Sequence, residues 1–344
     1  MITTSPPAIA PLRSPHSLEP SPIRESLPIE RSKILVVAKR TRIERDMEVL
    51  NISYDDALKK YELCGENVTE LVASHNEQLG NKERITKLLS PKQVRFREEY
   101  SDEELNRAAL VIALGGDNHF QAVSHRIHGD TPLLGVSSDK RSYGALLSCR
   151  AEEFEGLLLS LEKGDYNIAA WPRLQVEVQG QQLPPALCDL LIAERDRSEM
   201  SRHILIVKDA HGETLHNIGE RGVSQKSSGL LVATGAGANN RAWSRAASRF
   251  VFPEGLSFSK TARKAMFILT EPSNTHPGIS EESQELPPLT AGDIVDGEEM
   301  VITSLNDSEG IIKADSLEEL QFPRGAKAKI RLAHSPAWIV SRKT

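Results

Sequence analysis

Residues 109–117 read Ala-Leu-Val-Ile-Ala-Leu-Gly-Gly-Asp, an apolar run that stops at Gly115, Gly116 and the carboxylate of Asp117. Two glycines let a ligand approach the backbone closely, and Asp117 stands where it can act on that ligand. The run is short and rich in branched residues, so it is read as a buried strand of a parallel sheet. Ligands of open α/β sheets bind at the carboxyl ends of such strands, which points to nucleotide chemistry. Asn118 and His119 follow, and His119 is expected to meet a phosphate. A second segment, Ser228-Gly229-Leu230 through Thr234-Gly235-Ala236-Gly237-Ala238, runs from an apolar strand into a loop of small residues and then a helix. Backbone N–H groups in such a loop favour phosphate; the alternative is a bare turn. Glu194 follows the apolar Leu190–Ala193 and is the carboxylate singled out of a charged run. Lys226 precedes the second segment and is either a phosphate contact or a surface lysine. His125 and His128 lie three apart on one helix face, but no carboxylate or cysteine sits at matching spacing, so no metal site is expected.

The elements that must position these residues alternate in the first half of the chain. Strands are expected at Ile34–Ala38, Val94–Phe96, Leu110–Gly115 and Leu133–Val136. Helical stretches lie between them: a long polar one to about Leu89 weakly broken by Gly65 and Gly80, one at Asp102–Arg107 capped by Ser101 or Asp102, and one over 118–128 capped by Asn118. That alternation implies βαβ units and a parallel, Rossmann-like sheet. Near residue 165 the pattern changes. Leu174, Val176 and Val178 alternate with polar residues, the period of a half-buried strand. His203–Val207, Gly229–Ala233, Ala265–Thr270, Val301–Thr303, Ala328–Leu332 and Trp338–Val340 add further strands, with a helix near 240–249 and a surface loop over 272–288. The expected fold class is an α/β N-terminal domain followed by a β-rich C-terminal domain.

The 344 residues suit about two domains. The division expected is a Pro/Ser-rich disordered tail over 1–32, an α/β domain over 33–165 and a β-rich domain over 166–344. The net charge of −6, with no basic block, disfavours nucleic acid as a partner. Cys64, Cys149 and Cys188 are widely spaced, which fits reduced thiols in a cytoplasmic protein. No apolar stretch approaches the roughly 20 residues of a membrane helix, and the tail has neither the apolar region of a signal peptide nor the acid-poor composition of a transit peptide.

With these residues in place, the sequence resembles the NAD kinases. Their signature is a strand ending Gly-Gly-Asp-Gly-Thr, then a segment of the type Asp/Ser-Gly-Leu, a strand, and Thr-x-x-Gly-Ser. Lys226-Ser227-Ser228-Gly229-Leu230 and the later Ala242-Trp243 are similar to the mitochondrial-type branch. Val36–Arg42, the segment Gly135-Val136-Ser137-Ser138-Asp139, Asp296-Gly297 and Phe322-Pro323-Arg324-Gly325 extend the likeness over about residues 33–340. The resemblance implies phosphoryl transfer from ATP, with Mg²⁺, to the 2′-hydroxyl of NAD, giving NADP. It implies Asp117 as base or orienter, phosphate contacts from Gly115, Gly116, Asn118, His119, Ser228, Thr234, Gly235, Ala236 and Gly237, and dinucleotide contacts from Glu194 and Lys226. It also implies a homo-oligomer. The chain departs from the pattern in three places. Asn118-His119 replaces Gly-Thr, the family's acceptor-holding Asn-Glu pair is matched to Ala193-Glu194, and the loop after Gly237 lacks the family's Ser. Two other readings follow from these departures: a nucleotide-binding protein without transfer activity, and a kinase for another hydroxyl acceptor.

Overall fold

The structure is a computed structural model and describes residues 8–9, 22, 24–142, 144–196, 198–215, 223–239, 258–273 and 289–343. The helix expected at 240–249 and nearly all of the loop expected at 272–288 lie outside them, as does most of the tail.

A short strand, β1 (Ala8–Ile9), precedes β2 (Ile34–Ala38), α1 (Arg42–Leu50), α2 (Tyr54–Leu63) and α3 (Val68–Leu88). Then come β3 (Val94–Phe96), α4 (Asp102–Arg107), β4 (Leu110–Gly115), α5 (Asp117–Ser124), β5 (Leu133–Ser137), β6 (Cys149–Arg150), α6 (Phe154–Lys163) and β7 (Tyr166–Trp171). The β-rich half follows as β8 (Leu174–Val178), β9 (Gln181–Gln182), β10 (Asp189–Glu194), β11 (Ser201–Lys208), β12 (Val223–Ser227), β13 (Gly229–Thr234) and α7 (Gly235–Asn239). It ends with β14 (Lys264–Thr270), β15 (Leu289–Val295), β16 (Glu299–Ser304), β17 (Gly310–Ala314), β18 (Glu318–Gln321), β19 (Lys327–Leu332) and β20 (Ala337–Arg342). The chain divides into two compact units; one is Ile23–Ala169 with Trp338–Thr344, the other Ala170–Ala337 with the segment up to Pro22.

In the α/β unit the strands run in the order β3-β2-β4-β5-β20-β7, with β6 beside β5. β2, β3, β4 and β5 are parallel. All six residues of β4 are buried. Such a strand needs an apolar residue at every position, because both of its faces are covered. Ile34, Val36, Ile112, Leu114, Leu134 and Val136 form one core with Phe154, Leu157 and Leu161 of α6. The polar stretch after β2 is three helices. The chain turns at Asn51, in the left-handed conformation, and at Gly65. Gly80 lies inside α3 and breaks nothing. Ser101 caps α4, forming a reciprocal box with Glu104. α5 begins one residue before the expected position. Its N-cap is Gly116 rather than Asn118, because the Gly116 carbonyl already accepts the N–H groups of His119 and Phe120, each at 3.0 Å. Order also starts before Lys33: Ile29 is buried on α6, its N–H donates to the Leu161 carbonyl at 3.0 Å, and Arg31 pairs with Glu162.

The β-rich unit holds two sheets, β1-β15-β14-β13-β10-β17-β18 and β12-β11-β16-β19-β8-β9. Leu190, Ile192, Leu230, Val232 and Phe267 of the first share a core with Val176, Leu205, Val207, Ile302 and Ile330 of the second. The alternation that marks β8 in the sequence reappears as alternating burial along the strand, and β11 and β19 show the same alternating burial, since only one face meets the other sheet. No helix among the described residues is long and apolar enough to cross a membrane.

Candidate functional site

In the α/β unit, the connection after β2 leads to β3 on one side, while β4 leads to β5 on the other. Connections that wind apart open a crevice at the carboxyl ends of the two strands, the usual ligand position in such sheets. Gly115, Gly116 and Asp117 stand at the end of β4, on that crevice. Asp117 is the first residue of α5, and its carboxylate is clamped. Oδ2 accepts from the Ala145 N–H and Oδ1 from the Leu146 N–H, both at 3.1 Å. Gly144 makes the clamp possible, for a Cβ there would overlap all three carboxyl atoms of Asp117. A carboxylate has about four lone-pair sites, so the two that remain can receive a hydroxyl. This geometry suits an orienting group.

His119 is not turned to a ligand. Its ring is buried, and Nε2 lies 2.9 Å from the Val37 carbonyl oxygen, which can only accept, so Nε2 carries the proton. Burial, more than any neighbouring charge, lowers its pKa to about 4. A neutral imidazole anchored to β2 brings no charge to a phosphate. The ring packs against the backbone of Gly115, where a Cβ would come within 2.8 Å of its atoms. The first glycine therefore makes room for His119. Asn118, beside it, is exposed.

In the β-rich unit, β13 leads into the turn Thr234-Gly235-Ala236-Gly237, all four buried. The Thr234 hydroxyl donates to the Leu187 carbonyl at 2.6 Å and accepts from the Gly237 N–H at 3.3 Å. The two glycines are required by packing: a Cβ on Gly235 would overlap Ser259, and one on Gly237 would overlap Cys188. The turn is a closed corner resting on the start of β10.

That register decides which carboxylate accompanies the turn. β10 and β13 are antiparallel, with Asp189 opposite Ala233 and Ile192 opposite Leu230. Asp189 therefore stands beside the turn, while Glu194 is five residues away along the strand, roughly 17 Å. Glu194 closes the other end, with Ser228 and Lys226. It is buried; Oε1 accepts from the Asp307 N–H at 2.9 Å, and Oε2 has no partner among the described residues. Lys226 lies opposite Arg202 in the other sheet, and the Ser228 hydroxyl bonds Glu271. The structure thus groups Thr234, Gly235, Ala236 and Gly237 with Cys188 and Asp189, and separates them from Glu194, Ser228 and Lys226.

Asp189 is a buried carboxylate that the sequence reading did not single out. Its pKa is raised to about 7, mainly by burial and secondarily by the charge of Asp315. Asp315 holds the strand start in place, accepting from the N–H groups of Leu187 (2.7 Å), Cys188 (2.8 Å) and Asp189 (3.0 Å). The available signal was an acidic residue opening an apolar run. Among the described residues, no group of three or more His, Cys, Asp or Glu side chains could hold a metal ion.

The chain is similar in sequence to a probable NADH kinase of Oryza sativa subsp. japonica, 30% identical over 223 residues, covering 60% of this chain and 62% of that protein. It is also similar to the human NAD kinase 2, mitochondrial, 29% identical over 256 residues, covering 62% and 57%. The chain spans about three fifths of the length of these curated relatives. No family model matches it. Among solved structures, an NAD kinase from Archaeoglobus fulgidus in complex with ATP aligns with a TM-score of 0.55 at 19% identity, covering 77% of this chain and 90% of that one. A yeast NADH kinase complexed with NADH aligns at 0.54 and 13% identity, covering 71% and 66%. The fold is that of the NAD kinases, and the sequence is similar to theirs at moderate identity.

Proposed function

We propose that the chain is an NAD kinase that moves a phosphoryl group from ATP to the 2′-hydroxyl of NAD. The observation that carries this reading is Asp117, held by two backbone N–H groups at the carboxyl end of β4 with lone pairs left over. Phosphoryl transfer is mostly positioning and charge stabilisation. Asp117 accepts the hydrogen bond of the attacking hydroxyl, aims its oxygen and takes up its proton as the new bond to the γ-phosphorus forms and the bond from that phosphorus to the leaving ADP breaks. Mg²⁺ would neutralise charge on the donor phosphates, and a lone pair of Asp117 not taken by the hydroxyl could serve it as a ligand. Asp189, beside the Thr234–Gly237 turn, replaces Glu194 as the acidic group of the acceptor site. Its raised pKa lets it donate a hydrogen bond when protonated, as well as accept one.

The test is NADP formation from NAD, ATP and Mg²⁺ by the parent protein and by Asp117→Asn. Turnover lost in the variant, with the fold intact, is expected. Equal turnover in both removes Asp117 from the reaction. One observation favours a second reading, a nucleotide binder without transfer: the turn after β13 is buried, with its Thr234 hydroxyl already engaged. That reading requires calorimetric binding of NAD or ATP with no NADP formed. Binding of ATP without NAD points instead to another hydroxyl acceptor.

A further inference from the structure

Lys39 is the first residue past β2, and its N–H donates to the Leu114 carbonyl at 2.9 Å. The ladder pairs Ala38 with Leu114, so Lys39 continues it beside Gly115, two residues beyond Val37, to whose carbonyl the buried His119 ring is anchored. Neighbouring cations are engaged. Arg40 lies over the Phe96 ring and pairs with Glu48, and Lys82 lies over the same ring. Arg42 pairs with Glu66, Arg45 with Asp46, and Arg97 with Glu98. The Lys39 ammonium has no hydrogen bond or ion pair among the described residues. Crowding by the protein lowers its pKa, against the opposing pull of Asp139. Asp139 attracts it without a direct ion pair, its own oxygens accepting from the hydroxyls of Ser74 (2.5 Å) and Ser138 (3.3 Å). An exposed cation with no direct hydrogen bond or ion pair among the described residues thus stands at the switch point of the sheet, next to the strand end that carries Asp117.

We infer that Lys39 binds the phosphate chain of a nucleotide in the crevice between β2 and β4. This deepens the reading above and rests on its claim that nucleotides bind here. The phosphates come either from the nucleoside triphosphate donor or from the pyrophosphate of the dinucleotide, and the experiment separates the two. Full-length parent, Lys39→Met and Lys39→Arg are titrated calorimetrically with tripolyphosphate, with ATP and with NAD. Lys33→Met serves as a control, since Lys33 is a surface residue paired with Glu30. Removing a charged hydrogen bond to phosphate is expected to weaken binding on the order of tenfold or more. Lys39→Arg restores most of it, and Lys33→Met matches the parent. Loss confined to tripolyphosphate and ATP assigns Lys39 to the donor; loss confined to NAD assigns it to the acceptor. Unchanged affinity for all three probes in Lys39→Met, with equal melting temperatures, overturns the inference. Phosphate binding through Lys39 without any NADP formation defeats the kinase reading and leaves this one standing.

Discussion

Gly144→Ala tests the clamp on Asp117 without touching the carboxylate itself. A Cβ built on Gly144 lies closer than 3.0 Å to Oδ1, Cγ and Oδ2 of Asp117, a spacing that real Cβ atoms essentially never show. The overlap is with the whole carboxyl group, so either Asp117 rotates away or the turn 144–146 withdraws. Both movements break the hydrogen bonds from the Ala145 and Leu146 N–H groups. Each is a bond to a charged group, worth about 1.5–3 kcal/mol when buried. Asp117 and the turn are half-buried or partly so, and water replaces part of the loss, so the net cost is set at roughly 1–3 kcal/mol. For a unit of this size that lowers the melting temperature by about 2–4 °C per kcal/mol. Activity suffers more, because misplacing a reacting group by about 1 Å costs around a hundredfold. The assay is the initial rate of NADP formation at saturating NAD and ATP, beside a thermal melt. Gly129→Ala is the control, since a Cβ there meets nothing within 4 Å. A Gly144→Ala protein that keeps parental kcat refutes both the clamp and the role given to Asp117.

Three further outcomes are expected. The Asp189 carboxyl titrates at about 7 in the folded protein and near 4 in an unfolded chain. Between those values the fold keeps a proton that the unfolded chain has lost, so this group makes stability fall as pH rises from about 4 to about 7. Asp189→Asn should therefore melt above the parent at about pH 8, with the gap shrinking toward about pH 4; a gap independent of pH contradicts the assignment. His203 is fully buried on β11, with neither ring nitrogen partnered among the described residues and its pKa lowered by burial to about 4. An unfolded histidine titrates near 6.5, so acid removes stability as pH falls from about 6.5 to about 4. Urea melts of His203→Leu should show a gain of roughly 1–3 kcal/mol at neutral pH, from relief of two unsatisfied groups, and a weaker acid loss; destabilisation would mean that the ring has a partner. Cys64 is exposed while Cys149 and Cys188 are buried, the Cys149 thiol being pushed up to about 12. A thiol reagent should modify Cys64 at once in the native protein and the other two only in denaturant, and rapid reaction of Cys188 would show that the start of β10 is open.

Much of the fold was legible because burial leaves a direct mark on residue type. β4, buried along its whole length, appears as an uninterrupted apolar run. β8 and β19, buried on one face, appear as alternation, whereas β11 alternates in burial but not in residue type, Ile204 to Val207 all being apolar. Helix starts were legible where a hydroxyl does the capping, as at Ser101, and misread at α5, whose N-cap Gly116 has no side chain to cap with. Residue type said less about the site. His119 reads as a phosphate contact in the sequence, yet in the fold its ring reaches β2 and its charge is lost to burial. The small residues of 234–237 read as an open cradle, and the glycines are there because the backbones of Ser259 and Cys188 pass too close for a side chain.

The sequence alone determined the α/β half and the β-rich half, the position of Gly115-Gly116-Asp117 at a strand end, and the likeness to NAD kinases. All of these depend on local periodicity and on motifs contiguous along the chain. Tertiary structure alone decided that Asp189 rather than Glu194 stands beside the Thr234–Gly237 turn, that Gly144 shapes the seat of Asp117, and that Lys39 lies next to Gly115. These relations depend on strand register and on segments far apart in the chain. A one-residue slip along the ladder would turn every β10 side chain to the opposite face, and what holds the register is the packing of the whole core.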